Sequence, residues 1–183
     1  MGLGAYPSTG PCFLGMVGMH GTYEANLATQ ECDLLLAVGS RFDDRVIGNI
    51  AHFEQNPRQI IHIDIDPSSI SKRVKTNIPL VGDVKSVLTD MLRAVRESEN
   101  MLDQDALNAW WVRINEWKKR DSLSYDKDVS TIKPQFVVET VHKVAPNAVI
   151  SSDVGQHQMW AAQYLTFDEP KKWLTSGGLG TMG

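Results

Sequence analysis

Three short apolar runs mark the first half of the chain: Leu34-Leu35-Leu36-Ala37-Val38, Ile60-Ile61-His62-Ile63-Asp64-Ile65 and Ile78-Pro79-Leu80-Val81. Each stops at a turn or acidic signal, namely Gly39-Ser40, Asp66-Pro67 and Gly82-Asp83. Nearly continuous apolar runs separated by helix-length connections predict parallel strands covered on both faces. Thr22 to Gln30 predicts a short helix behind the turn at Gly21. Val84, Val87, Leu88, Met91, Leu92 and Val95 recur at helical spacing, so a helix is expected from Val84 to Glu97. A second amphipathic helix is expected from Asp103 to Arg120, with Leu107, Trp110, Trp111, Ile114 and Trp117 along one stripe. That much tryptophan predicts docking, either onto a neighbouring domain or onto a partner.

The stretch Ser122 to Thr131 is polar and has no periodicity, which places a domain boundary there. The expected division is therefore 1–121, a linker at 122–131, and a second unit at 132–183. In that unit Lys133-Pro134 opens a helix through Val144, Ala148 to Asp153 reads as a strand, and Gln156 to Tyr164 as the next helix. The fold class expected is α/β, with a Rossmann-like parallel sheet followed by the start of a second α/β domain. Ser176-Gly177-Gly178-Leu179-Gly180-Thr181-Met182-Gly183 is dense in glycine, and such loops let backbone approach a ligand and hand it to a following helix N-terminus. With Met1-Gly2-Leu3-Gly4 also reading as loop, the 183 residues are expected to be an internal piece of a larger enzyme.

Composition narrows the classes without choosing one. Hydrophobic residues at 42% and charged residues at 22% are ordinary for a folded domain. A net charge of −4 leaves no basic surface for nucleic acid, and Lys118-Lys119-Arg120 reads as a solvated helix end. No apolar run approaches the roughly 20 residues that cross a bilayer, so no membrane partner is expected. Cys12 and Cys32 stand far apart, which fits a reducing compartment, and the five histidines lack ligand spacing.

Ligands of open parallel sheets sit beyond the carboxyl ends of the strands, and the residues there form a coherent set. After the first run, Gly39 frees the backbone while Arg41 and Arg45 offer forks for phosphate or carboxylate; pairing with Asp43 and Asp44 is the alternative. After the second, Asp66 is expected to cap a helix start, which leaves Asp64 as the better ligand contact. Asp83, next to Gly82, reads first as a cap. Met16 to Gly21 would suit a flat aromatic ligand, with a structural role as the default for His20. Gln156 and His157 stand where an anion meets a helix N-terminus, or where a cap would.

Taken together the strings are far more specific than any one of them. Gly18-Met19-His20-Gly21-Thr22, Ala37-Val38-Gly39-Ser40-Arg41-Phe42-Asp43-Asp44-Arg45, His62-Ile63-Asp64-Ile65-Asp66-Pro67, Val154-Gly155-Gln156-His157-Gln158-Met159-Trp160-Ala161-Ala162-Gln163 and Ser176 to Gly183 stand in the order and spacing of acetolactate synthase large subunits. The resemblance covers essentially the whole chain and is greatest to the bacterial type.

The resemblance implies a thiamine diphosphate enzyme of valine, leucine and isoleucine synthesis. It decarboxylates pyruvate and joins the two-carbon unit to a second 2-oxo acid, pyruvate or 2-oxobutanoate. It implies that 1–121 is part of a central FAD-binding domain and that 132–183 begins the thiamine diphosphate-binding domain. Met19, His20 and Gly21 resemble the loop along the flavin; Gly39, Arg41 and Asp43 resemble the segment at its diphosphate and ribityl chain; Asp64, Ile65, Gly82 and Asp83 resemble its adenosine end. Arg45 resembles the arginine that receives the carboxylate of the second 2-oxo acid. Val154, Gly155, Gln156 and His157 resemble phosphate-side contacts of thiamine diphosphate, and Gly180 with Met182 the loop supporting its aminopyrimidine. A homodimer of large subunits, a small regulatory subunit and a cytoplasmic location are also implied. The family's catalytic glutamate and its Mg2+-holding Gly-Asp-Gly motif and asparagine have no counterpart in these residues, so the segment alone is expected to lack activity. Another thiamine diphosphate carboligase, a pyruvate oxidase, or a non-catalytic nucleotide-binding module are the alternatives.

Overall fold

The computed structural model describes residues 2–98, 102–127 and 130–183. These divide into two compact units, one built from 17–19 and 26–120, the other from 2–16, 20–25 and 121–183. Residues 128 and 129 of the expected linker lie outside the described residues.

In the first unit, β1 (Leu34–Val38), β2 (Gln59–Asp64) and β3 (Ile78–Val81) form a parallel sheet in the order β1-β2-β3. Leu35 pairs with Ile60 and Ala37 with His62, which sets one face of the sheet. That face is filled by Phe42, Ile47, Phe53 and Val74, packed with Ala37 and Ile60. The other face departs from the expectation of full coverage, because Leu34, Leu36 and Val38 are 52%, 43% and 41% exposed. A continuous apolar run reports the capacity of a strand to be buried twice; the described residues bury β1 once.

Helix α4 (Val84–Glu97) contacts β2 and is capped as expected, Asp83 Oδ1 accepting the Ser86 N–H at 3.1 Å. Val84, Val87, Leu88 and Met91 are half-buried, while Leu92 and Val95 are exposed. Asp66 caps the 3-10 turn Pro67–Ser69 through the Ser68 N–H at 2.9 Å. Two short helices that periodicity is too brief to predict, α2 (Asp44–Ile47) and α3 (Ile50–Phe53), bridge β1 to β2. Helix α5 (Gln104–Lys118) buries Ile114 and half-buries its three tryptophans. Arg113 lies over Trp110 and Trp117, 5.4 and 5.2 Å from their ring centres, and pairs with Glu31 of α1 (Tyr23–Glu31).

In the second unit, α6 (Pro134–Val144) is followed by β4 (Ile150–Ser152), α7 (Gln156–Tyr164) and β5 (Trp173–Thr175), with β4 and β5 parallel. The strand β5 was hidden in a three-residue run. Ala161, Leu165, Phe167 and Trp173 form its core, the last two rings 5.5 Å apart. The segment 2–16 is fastened to this unit: Thr9 N–H and Oγ1 reach the two carboxylate oxygens of Asp168, both at 2.9 Å, and Ser8 Oγ donates to Phe167 O at 3.1 Å. No helix among the described residues is long and apolar enough to cross a membrane.

Candidate functional site

The sheet of the first unit brings one group of residues to its carboxyl edge. Gly39 N–H donates to Ile63 O at 2.8 Å and Gly82 N–H to Asp64 O at 3.0 Å, so the residues following β1, β2 and β3 lie side by side. Gly39 has φ 59°, and nothing lies within 4 Å of where its Cβ would be, which leaves backbone open to a ligand. Arg41 is 76% exposed in its side chain and binds Asp43 Oδ2 at 3.2 Å; Asp43 Oδ1 is buried without a hydrogen-bond partner among the described residues. Arg45 forms no ion pair there, and its Nη1 lies 3.9 Å from Met19 Sδ.

Met19 is placed by a clamp that sequence reasoning missed. The Asn26 side-chain amide pairs both ways with Gly18, accepting its N–H at 2.7 Å and donating to its carbonyl at 2.9 Å, while Met19 N–H binds Arg45 O at 2.8 Å. The only sequence signal was an asparagine one turn into a helix that follows a glycine-rich loop.

Asp64 is turned inward. Its Oδ1 accepts the Asp66 N–H at 2.9 Å, and its Oδ2 lies 3.9 Å from Nε2 of the fully buried His62. Ile65, by contrast, is 70% exposed. The carboxylate of Asp83 faces Ser86, as its capping role requires. His20 and Gly21 belong to the other unit, where His20 O accepts Gln163 Nε2–H of α7 at 2.9 Å.

A second group gathers at the carboxyl ends of β4 and β5. The glycine-rich loop folds back over the start of α7: Val154 N–H donates to Thr181 O at 2.8 Å, Gly180 N–H to Ser176 O at 2.6 Å, and Gly183 N–H to Asp153 Oδ2 at 2.7 Å. The helix that the loop was expected to serve downstream therefore has a counterpart upstream. His157 Nε2–H donates to Asp153 Oδ1 at 2.5 Å. That bond, then the Gly183 N–H, holds the Asp153 carboxyl below the usual carboxylate range. A Cβ at Gly155 would fall 2.6 Å from His157 Cε1, so a larger residue there would push the ring aside. Val154, Gly155, Gln156, His157, Gly180 and Met182 thus stand around the first turn of one helix, whose free N–H groups favour an anion. Gly178 and Gly180 have open space where a Cβ would be, the latter at φ 79°. No group of three or more His, Cys, Asp or Glu side chains among the described residues is placed to hold a metal ion.

Two profiles match the chain: the central domain of thiamine pyrophosphate enzymes over residues 1–91, and their C-terminal TPP-binding domain over residues 153–183. These define its class: the chain carries the α/β central domain and the beginning of the α/β C-terminal domain of thiamine pyrophosphate enzymes. The chain is 53% identical to the acetolactate synthase large subunit of Haemophilus influenzae over 184 aligned positions, covering 100% of this chain and 32% of the relative. It is 50% identical to the acetolactate synthase isozyme 3 large subunit of Escherichia coli K12, with the same coverage of each. To a probable acetolactate synthase large subunit of Methanocaldococcus jannaschii it is 47% identical, over 100% of this chain and 31% of the relative. The chain belongs to the acetolactate synthase large-subunit family, and it spans about a third of the length of these curated relatives.

Proposed function

We propose that this segment supplies part of the FAD site and part of the thiamine diphosphate site of an acetolactate synthase. The protein carrying it would release CO2 from pyruvate and join the remaining two-carbon unit to pyruvate or 2-oxobutanoate. The observation that carries this reading is the folding of Ser176–Gly183 onto the start of α7, which turns two distant stretches into one open anion cradle.

Thiamine diphosphate, when bound, supplies the carbanion chemistry that decarboxylates a 2-oxo acid. Toward it Val154, Gly155, Gln156 and His157 offer the helix end, and Gly180 with Met182 the facing loop. Mg2+ would be held by residues outside this segment. For FAD the fit is uneven along the edge. Gly39, Arg41 and Asp43, whose Oδ1 has no hydrogen-bond partner among the described residues, suit the diphosphate and ribityl portions, Met19 the flavin and Gly82 the adenosine end, while His20 and Gly21 are carried to the flavin by the family resemblance alone. Asp64 and Asp83 each commit Oδ1 to a backbone N–H and keep Oδ2, and with Ile65 they stand at the adenosine end in this reading. We further propose a central domain ending at 121, a linker at 122–131 and a cofactor domain from 132. A homodimer of large subunits, a small regulatory subunit and a cytoplasmic location follow from the same reading.

Arg45 tests it. Its guanidinium has no carboxylate partner among the described residues and would receive the carboxylate of the acceptor 2-oxo acid. In the protein carrying this segment, Arg45→Lys keeps charge but loses the fork. About a tenfold rise in the apparent Michaelis constant for the acceptor is expected, with less acetolactate formed per CO2 released and an unchanged melting temperature. An unchanged product ratio with a lowered melting temperature would assign Arg45 to structure instead.

A further inference from the structure

We propose that Asp153 is a positioning residue that joins the two halves of the thiamine diphosphate cradle, holding His157 and the Ser176–Gly183 loop in one arrangement. The inference rests on the cofactor reading above. Asp153 lies just after β4, and each of its carboxylate oxygens serves a different stretch of chain: Oδ1 accepts His157 Nε2–H at 2.5 Å and Oδ2 accepts Gly183 N–H at 2.7 Å, 30 residues away. The side chain is 39% exposed, so its part is that of a bracket and not of core packing. The backbone bond from Val154 N–H to Thr181 O ties the same stretches together one residue along. The carboxylate adds the side-chain tie that also orients a ring, and Gly155 leaves space for that ring beside it.

The chemistry explains why an acid can stand at an anion site. A bare carboxylate would repel a diphosphate, but this one is engaged by a ring N–H and a backbone N–H. The same two N–H bonds hold its carboxyl below the usual carboxylate range.

The test is a thiamine diphosphate titration, followed by quenching of intrinsic tryptophan fluorescence, on the protein carrying this segment and on its Asp153→Ala, Asp153→Asn, His157→Ala and Asp153→Ala/His157→Ala variants. Asp153→Ala is expected to weaken binding by about tenfold, as loss of charge-assisted hydrogen bonds does. Asp153→Asn, which keeps an acceptor for Gly183, should weaken it less. The double variant should bind little worse than Asp153→Ala alone, because His157 acts from the place Asp153 gives it. Turnover at saturating cofactor should fall much less than affinity. Wild-type affinity in Asp153→Ala, or strictly additive losses in the double variant, would overturn the proposal while leaving the cofactor reading intact. If His157→Ala and Gly180→Ala both bind as tightly as wild type, the cofactor reading itself fails. Should Asp153→Ala not fold, Asp153→Asn decides: a loss of affinity supports the bracket and none refutes it.

Discussion

Gly18 shows how little room one backbone position can have. Its φ is 104°, and a Cβ there would fall 2.3 Å from Arg45 O and 2.9 Å from Val46 Cα, both backbone atoms that cannot rotate away. Gly18→Ala must therefore lift the 17–19 loop off the start of α2, at an expected cost of about 2–4 kcal/mol. Because Met19 N–H is bonded to the same Arg45 carbonyl, the loop and the arginine would shift together. A melting temperature several degrees lower, with weaker FAD binding, is the expected result for the protein carrying this change; an unaltered melting curve would show that the loop has slack. Asp64 follows Ile60 and His62 at two-residue spacing and so shares the face that the core fills, where its carboxylate accepts the Asp66 N–H.

Between elements, a small aromatic and charged cluster joins the segment before α6 to α6 and α7. Tyr125 Oη donates to Glu139 Oε2 at 2.8 Å, Lys127 Nζ lies 3.6 Å from the same oxygen, and the Tyr125 and Tyr164 rings meet edge to face at 5.8 Å. Desolvation, then the bond to Glu139, pushes the Tyr125 phenol up to about 12. The raised value means that the folded protein favours the neutral phenol. Its contribution to stability is complete below the ordinary value of about 10 and is lost as pH climbs through the folded value. Absorbance titration at 295 nm should show late tyrosine steps, of which Tyr125→Phe removes the latest and leaves that of the also raised Tyr164. If the variant loses no step near 12, Tyr125 is not the group that the cluster delays.

For the molecule as a whole, the residues that the family resemblance assigns to cofactor activation and to Mg2+ are not among these 183. Expressed by themselves with FAD, Mg2+ and thiamine diphosphate, they are expected to form no acetolactate from pyruvate. Product above a no-protein blank would show that the chemistry needs fewer groups than the resemblance implies.

What the sequence determined by itself was local and periodic. The strands β1 to β3, the helices α4 to α7 and the caps at Asp66 and Asp83 follow from runs, spacings and side-chain oxygens that act within a few residues. The strings from Gly18 to Gly183 carried the family as well, because their order and spacing are preserved whatever the chain does between them. Tertiary structure decided the rest. The strand β5 exists because Ile150 and Trp173 pair, a three-residue match with no periodicity to announce it. The Asn26 clamp on Gly18 and the Asp153 bracket between His157 and Gly183 depend on groups that only folding brings within 3 Å. Hydrogen bonds of that kind are set by distance in space, and distance along the chain carries no record of them.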